Sequence, residues 1–256
     1  MKVVILAGGF GSRISEKTHS IPKPMIEIGG KPIIVHIMER YIKYGFNEFI
    51  IALGYKSHIL KKYFANYHLM TSDFKVDLSN GVIETNKNKG MDCKVTLVET
   101  GLETMTGGRL NRLRNYISDE RFFLTYGDGV SNINIKELLK NHLDSKKLLT
   151  MSIVRPPARF GVLEINEKNV LTEFEEKPQL STGWINGGFF VVEPEFLDFC
   201  KSDNEMLERE PIKRALKINQ ISAYKHFGFW KCMDTLRDKN ELEKIHKKGN
   251  PPWLED

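Results

Sequence analysis

Near its start the chain reads Val3-Val4-Ile5-Leu6-Ala7-Gly8-Gly9-Phe10-Gly11-Ser12-Arg13, an apolar run that passes directly into a glycine-rich turn. A short, continuous apolar run bounded by glycine is typical of a strand buried on both faces of a parallel sheet. Glycines allow backbone N–H groups to approach an anion closely, and the guanidinium of Arg13 adds a positive charge. We therefore predict a buried first strand followed by an anion-binding turn, although a purely structural turn would also use these glycines.

Strand and helix patterns alternate along the rest of the chain. Pro32 can open a helix without losing a hydrogen bond, apolar residues then recur at helical spacing, and Gly45 ends the pattern. Residues 49–53, 122–126 and 148–154 have the apolar character of further strands. The alternation predicts an α/β fold built on a doubly wound, mostly parallel, Rossmann-like sheet with right-handed crossovers.

Two regions interrupt this alternation. Residues 66–98 and 158–192 contain short strand patterns separated by turn residues, which predicts β-hairpin insertions. The C-terminal part is predicted to be largely helical. Because the sequence contains no repeat, low-complexity segment or linker, we expect residues 1–256 to form a single domain.

Composition narrows the class of protein and of ligand. The chain has 256 residues, of which 41% are hydrophobic and 28% charged, so disorder, collagen and a coiled coil are excluded. Its 38 basic and 33 acidic side chains give a net charge of +5. Since this small excess includes no Lys/Arg run, we predict no nucleic-acid partner and favour a pocket for a polyanionic small molecule.

The cysteines and the hydropathy pattern indicate the cellular compartment in which the protein resides. Cys93, Cys200 and Cys232 are far apart and include no C-x-x-C pair, which indicates a reducing environment without disulfides or structural zinc. The apolar N-terminal run is too short for a secretion signal, and no segment approaches the ~20 apolar residues that span a bilayer. We therefore expect a cytoplasmic protein with no membrane partner.

Three charged residues are candidates for phosphate and metal chemistry. The prolines of Pro22-Lys23-Pro24 hold Lys23 in an extended segment near the glycine-rich turn, as a triphosphate site would require. Asp128 follows a predicted strand between two glycines, at the edge where open α/β sheets bind ligands, and its carboxylate would suit Mg²⁺. Asp234 could supply a second carboxylate or could cap the following helix, and the local pattern by itself favours the cap.

Other motifs are less specific when each is taken alone. Two further motifs fit either a turn or part of a binding site: Glu176-Lys177-Pro178 and Asn186-Gly187-Gly188. The second motif offers the side-chain amide and the close backbone approach that are needed to bind sugar hydroxyls. The dinucleotide fingerprint fails because Ile14 occupies its third glycine position, which disfavours a nicotinamide oxidoreductase. The Walker phosphate loop fails because Gly30-Lys31 is followed by proline.

Taken together, the motifs resemble those of the sugar-phosphate nucleotidylyltransferases. That family's signature is a strand, then G-G-x-G-[ST]-R, then P-K-P, and residues 6–13 and 22–24 match it in order and spacing. Phe10 and Ser12 replace the usual leucine and threonine without removing a charged group. The likeness continues through residues 106–110, 125–130, 159–161, 176–178, 185–190 and 233–239.

The resemblance implies a fold and a reaction. The fold would be of the nucleotide-diphospho-sugar transferase type, and glucose 1-phosphate would attack the α-phosphorus of CTP to give CDP-glucose and pyrophosphate with Mg²⁺. The cytidylyl assignment depends on residues 100–109, which lack the glutamine-containing segment of uridylyl and thymidylyl relatives. The alternatives are another nucleotide, another sugar phosphate, or a non-catalytic nucleotide-sugar sensor, the last disfavoured by the retained charged residues.

The resemblance also implies roles for residues and partners. Asp128 and Asp234 would hold Mg²⁺, Arg13 and Lys23 would neutralise the triphosphate, and Lys177 would bind the attacking sugar phosphate. A homo-oligomer such as a hexamer, and a use in lipopolysaccharide O-antigen synthesis, are expected on the same basis. The implied nucleotide site comprises Leu6, Ala7, Gly8, Gly9, Phe10, Gly11, Ser12, Arg13, Lys23, Thr104 and Arg109. The implied sugar-phosphate site comprises Lys177, Asn186, Gly187 and Gly188.

Overall fold

The computed structural model describes residues 1–11, 20–85, 90–117, 120–155, 162–165, 167, 170–175 and 183–255. The strands are β1 (Val3–Leu6), β2 (Glu27–Ile28), β3 (Lys31–Pro32), β4 (Glu48–Leu53), β5 (Phe74–Val76), β6 (Ile83–Thr85), β7 (Lys94–Glu99), β8 (Phe122–Tyr126), β9 (Gly129–Ser131), β10 (Leu149–Val154), β11 (Val162–Ile165), β12 (Leu171–Glu175), β13 (Ile185–Val192), β14 (Ile221–His226) and β15 (Trp230–Cys232). The α-helices are α1 (Ile33–Lys43), α2 (Ser57–Ala65), α3 (Tyr67–Thr71), α4 (Thr106–Arg112), α5 (Arg114–Ile117), α6 (Ile135–Ser145), α7 (Glu210–Lys217) and α8 (Leu236–His246). Short 3₁₀ turns occupy Lys23–Met25 and Pro194–Phe199.

A central sheet organises the molecule. Its strands follow the order β14-β10-β13-β8-β1-β4-β7. Strand β1 pairs in parallel with β4 and β8, β4 with β7, and β10 with β14, whereas β13 runs antiparallel to β8 and β10. The carboxyl ends of the parallel strands therefore meet the amino end of β13 at one edge, which is where open α/β sheets bind ligands.

Both faces of this sheet are covered. Because successive strand residues point to opposite faces, Val3 and Ile5 of β1 join one core cluster while Val4 and Leu6 join the other. Helices α1, α2, α6 and α8 pack on the first face, and α4, α5 and α7 pack on the second. The predicted doubly wound, mostly parallel α/β fold is confirmed.

The helix predicted to open at Pro32 begins one residue later. Pro32 has an extended backbone, belongs to β3 and is the N-cap residue of α1. Gly45 follows the helix with a φ of 87°, a conformation that favours glycine, and so ends it as predicted. Local turn chemistry therefore placed this element correctly to within a residue.

The hairpin insertions are partly confirmed. Strands β5 and β6 pair antiparallel, and so do β11 and β12. Strand β7 was wrongly expected to belong to a hairpin, because it is the edge strand of the central sheet, and β13 also belongs to that sheet. An edge strand has one exposed face, so its alternating pattern resembles that of a hairpin strand.

The expectation of a largely helical C-terminal part is wrong in one respect. Helices α7 and α8 are present, but β14 extends the central sheet and β15 pairs with β9. Both strands are only partly buried and include polar residues, so they lack the continuous apolar run that marked β1. Among the described residues, none of the helices has the length and apolar composition that crossing a membrane requires.

Candidate active site

A cavity of about 1430 Å³ opens at the carboxyl-terminal edge of the central sheet. Ligand pockets are commonly about 300–1,000 Å³, so this cavity has room for a nucleotide and a sugar phosphate together. It is lined by all the predicted site residues that the structure describes: Leu6, Ala7, Gly8, Gly9, Phe10, Gly11, Lys23, Thr104, Arg109, Asp128, Asn186, Gly187, Gly188 and Asp234. Ser12, Arg13 and Lys177 lie outside the described residues, so their roles stay predictions.

Arg109 holds the glycine-rich turn in place. Its Nη1 donates to the Leu53 carbonyl at 2.9 Å, to Thr100 Oγ1 at 2.8 Å and to the Gly101 carbonyl at 2.6 Å. Its Nη2 donates to the Gly8 carbonyl at 2.9 Å. The buried guanidinium thus ties the ends of β1, β4 and β7 together, while its predicted contact with the nucleotide stays a prediction.

Arg109 also explains why the chain has glycine at positions 8 and 54. A Cβ on Gly8 would lie 2.3 Å from Arg109 Nη1, and a Cβ on Gly54 would lie 2.4 Å from the same atom and 2.6 Å from the Gly8 carbonyl oxygen. Neither position has room for a side chain while Arg109 occupies this place. The steric role of Gly54 depends on Arg109, which is distant in the sequence.

Lys23, Asp128 and Asp234 form what we call the carboxylate cluster. Lys23 Nζ donates to Asp128 Oδ2 at 2.6 Å and to Asp234 Oδ1 at 2.7 Å. Burial alone would lower the pKa of Lys23, but the charge of Asp128 and the hydrogen bonds to both carboxylates raise it to about 12. One ammonium is thus shared between two carboxylates from distant parts of the chain.

A small two-stranded ladder aligns the two aspartates. Strands β9 and β15 pair antiparallel with Cys232 opposite Gly129, and the Met233 N–H donates to the Asp128 carbonyl at 2.8 Å. This ladder follows β8 directly, so it carries Asp128 and Asp234 to the same side of the cavity.

The structure decides between the two interpretations of Asp234. The N-cap of α8 is Thr235, whose side chain accepts from the Asp238 N–H in a reciprocal capping box. The cap interpretation of Asp234 is therefore wrong, because the adjacent threonine performs that function. The Asp234 carboxylate instead contacts Lys23.

The carboxylate cluster fits a hard divalent cation. Oxygens of Asp128 and Asp234 and the sulfur of Cys232 all lie within 4.8 Å of one another. Burial, with the charge of Asp128 beside it, raises the pKa of the Cys232 thiol far above its usual range, and a hard cation prefers oxygen ligands to sulfur. Two carboxylates with space for water and phosphate oxygens are the donor set that such a cation prefers.

The predicted sugar-phosphate residues lie at the start of β13. Asn186 Oδ1 accepts from the Gly188 N–H at 2.8 Å, and the Gly187 carbonyl accepts from the Trp230 indole N–H at 2.7 Å. Gly188 has a φ of 78°, and a Cβ there would lie 2.9 Å from the Tyr126 ring. The start of β13 thus packs closely against the end of β8.

Sequence reasoning missed a polar group on the opposite wall of the cavity. Glu208 accepts hydrogen bonds from the Tyr126 hydroxyl and from the Thr106 hydroxyl, the latter at 2.8 Å. Asn186 Nδ2 donates to the Tyr126 hydroxyl at 3.2 Å. A glutamate in an exposed, irregular segment carries no local signal of a site, and only the fold brings it to the cavity.

The sheet topology, the glycine-rich turn and the paired aspartates define a class of phosphate-transfer enzyme, and comparison agrees. A model of the nucleotidyl transferase family matches residues 2–228, and the chain belongs to this family. HddC from Yersinia pseudotuberculosis has the same fold, with a TM-score of 0.69 at 23% identity over 96% of this chain and 99% of that one.

Two relatives are similar along nearly the whole chain. The chain is 46% identical over 254 residues to the glucose-1-phosphate cytidylyltransferase of Salmonella typhimurium strain LT2, covering 99% of this chain and 98% of that protein. It is 42% identical over 254 residues to the probable glucose-1-phosphate cytidylyltransferase of Bacillus subtilis strain 168, covering 99% of each. The resemblance inferred from the motifs is confirmed.

Proposed function

We propose that this chain transfers the cytidylyl group of CTP to α-D-glucose 1-phosphate, forming CDP-glucose and pyrophosphate. Supporting this are the two relatives named for that reaction, at 46% and 42% identity. The structural observation that carries the proposal is the carboxylate cluster, with Lys23 between Asp128 and Asp234 in the cavity that the glycine-rich turn also lines.

The reaction is an in-line displacement between two anions. A phosphate oxygen of glucose 1-phosphate attacks the α-phosphorus of CTP, and the bond from that phosphorus to the bridging oxygen of the departing pyrophosphate breaks. Positioning and charge neutralisation supply most of the catalysis in such transfers, so no covalent protein intermediate is needed. Backbone N–H groups of residues 8–11 and the Lys23 ammonium would hold the triphosphate.

Asp128 and Asp234 would hold Mg²⁺, which when bound neutralises charge on the reacting phosphates. Lys23 stays charged at neutral pH because its pKa is about 12. Arg13 would add charge on the triphosphate, and Lys177 with the turn at Asn186 would bind the sugar phosphate. These assignments rest on the family resemblance together with the placement of Lys23, Asp128 and Asp234.

A substrate panel tests the proposal directly. Purified protein with Mg²⁺ is offered CTP, UTP, dTTP or GTP, each with glucose 1-phosphate and with other hexose 1-phosphates, and pyrophosphate release is measured. We expect the CTP and glucose 1-phosphate pair to react fastest and UTP to react substantially more slowly. Equal rates with CTP and UTP would contradict the cytidylyl assignment. Faster turnover of another hexose 1-phosphate would show that glucose 1-phosphate is not the preferred sugar substrate.

The assembly and setting are also proposals. We propose a homo-oligomer such as a hexamer, acting in the cytoplasm and supplying lipopolysaccharide O-antigen synthesis. Exposed apolar side chains on the β5–β6 hairpin, including Leu78 at 92% and Val82 at 52% exposure, support an oligomer because such patches are typical of interfaces. Light scattering after size-exclusion chromatography tests the assembly, and a monomeric mass would contradict it.

A further inference from the structure

Residues 203–208 are here called the wall segment, because Met206 and Glu208 of this segment line the side of the cavity that faces the end of β8. The backbone joins this segment to the start of α4. The Met105 N–H donates to the Asp203 carbonyl at 2.8 Å, and the Gly107 N–H donates to the Glu205 carbonyl at 2.9 Å. These bonds satisfy N–H groups at a helix N-terminus and give the segment a defined position.

Two bidentate ion pairs hold the wall segment from its outer side. Arg112 donates to both oxygens of Asp203 at 2.9 and 2.6 Å. Arg214 donates to both oxygens of Glu205 at 2.9 and 2.6 Å. A fork-to-fork arrangement restricts orientation as well as distance, so the segment is held at both of these acidic residues.

The two glycines of the Thr106-Gly107-Gly108-Arg109 motif make this contact possible. A Cβ on Gly107 would lie 2.8 Å from the Glu205 carbonyl oxygen, and a Cβ on Gly108 would lie 2.5 Å from Asp203 Cα. Both obstacles are backbone atoms, which cannot move aside as a side chain could. The motif therefore seats the wall segment against α4.

Because the wall segment packs against α4, Glu208 lies at the cavity, and its carboxylate has defined hydrogen-bond partners. One carboxylate oxygen accepts from Tyr126 and the other from Thr106. Burial, then the neighbouring Glu208 charge, raise the pKa of Tyr126 well above its usual range, so its hydroxyl remains a donor. A carboxylate oxygen accepts two hydrogen bonds, so each oxygen of Glu208 retains capacity for one more donor from a ligand.

We propose that Glu208 accepts hydrogen bonds from hydroxyl groups of the hexose and so helps to select the sugar phosphate. The inference rests on the proposed function. A carboxylate repels the phosphates of both substrates, which leaves a neutral donor as its partner. The hexose is favoured over the ribose and the base because Tyr126 joins Glu208 to Asn186, at the predicted sugar-phosphate turn. Tyr126 is a positioning residue in this arrangement.

The main test is Glu208→Gln, with Glu210→Gln as the control. Glu210 is exposed, pairs with Lys213 and does not line the cavity. We expect Glu208→Gln to raise KM for glucose 1-phosphate by roughly tenfold, as for a lost hydrogen bond to a charged group, with KM for CTP and the melting temperature unchanged. An unchanged KM for glucose 1-phosphate, or an equal rise for both substrates, would overturn the proposal.

Monodeoxy derivatives of glucose 1-phosphate sharpen the test. The wild-type enzyme should lose kcat/KM when the contacted hydroxyl is removed, and Glu208→Gln should lose less from that same removal. If the variant instead loses its sensitivity to 2′-deoxy-CTP, or its preference for CTP over UTP, then Glu208 reads the nucleotide and the hexose proposal is wrong.

A second variant separates positioning from folding. Tyr126→Phe removes the hydroxyl but leaves the Glu208 carboxylate, so KM for glucose 1-phosphate should rise less than in Glu208→Gln and kcat should change little. A wild-type enzyme that forms no CDP-glucose would refute the proposed function. An active wild type, with KM for glucose 1-phosphate unchanged in both Glu208→Gln and Tyr126→Phe, would refute only this inference.

Discussion

The carboxylate cluster and the Arg112–Asp203 ion pair of the wall segment both join a basic side chain to carboxylates, but they differ in exposure to water. In the cluster the side chains of Lys23, Asp128 and Asp234 are only 11%, 26% and 20% exposed, and one ammonium contacts both carboxylates. In the wall segment Arg112 and Asp203 are 45% and 47% exposed and match one to one. Charges that are shielded from water interact strongly with a ligand, whereas a solvated ion pair contributes little energy and mainly fixes geometry.

The largest effect that we expect from this difference is the loss of activity in Asp128→Asn. Loss of a metal ligand removes several kcal/mol and each ~1.36 kcal/mol is tenfold, so kcat should fall by at least ~100-fold. The rate of pyrophosphate release at saturating substrates and Mg²⁺ measures this fall in kcat.

The matched control is Asp203→Asn, which removes one partner of an exposed ion pair. Such a pair contributes about 0–1 kcal/mol to stability, so kcat should stay close to wild type. Near-normal turnover of Asp128→Asn would end the metal-ligand assignment.

Gly108→Ala tests whether the wall segment is seated as described. On helix propensity alone this change would stabilise the protein by about 1 kcal/mol. Because the new Cβ would meet Asp203 Cα at 2.5 Å, we expect the opposite sign. Overpacking of this kind costs about 1–3 kcal/mol, and urea unfolding measures it.

Gly9→Ala is the steric control for that prediction. Among the described residues, no atom beyond its two chain neighbours lies within 4 Å of a Cβ built at Gly9, so overpacking should not lower the free energy of unfolding there. A Gly108→Ala protein as stable as wild type would mean that α4 and the wall segment are not in close contact.

Glu205→Gln has the smallest expected effect and depends on pH. The hydrogen bonds from Arg214 lower the pKa of Glu205 from 4.5 to about 2 in the folded protein. The unfolded chain therefore takes up the proton first, so this pair stabilises the fold fully above pH 4.5 and loses its contribution as the pH falls towards 2. The difference in melting temperature between wild type and Glu205→Gln should be constant from neutral pH to about pH 5 and narrow at lower pH. A difference that widens in acid would contradict the assigned pair.

Local patterns predicted a large part of the fold and singled out Lys23 and Asp128, whereas only the family resemblance indicated Asp234 as their partner. The apolar run before Gly8 predicted β1, the helix after Pro32 began one residue from its expected start, and Asp128 was placed correctly after β8. Among the misassigned elements, β7 and β14 are the strands at the two edges of the sheet. Their patterns are weak because only part of each strand is buried, and burial is what imposes a pattern on a sequence.

Strand β1 and the glycine-rich turn that follows it could be read from local sequence, because apolar runs, glycines and prolines restrict the backbone within a few residues. The tertiary structure alone decided which distant groups meet. Lys23 contacts carboxylates 105 and 211 positions away, and Tyr126 contacts a glutamate 82 positions away. Such contacts follow from strand order, the β9–β15 ladder and the seating of the wall segment on two glycines. They depend on how whole elements pack against one another, and no short stretch of sequence specifies that.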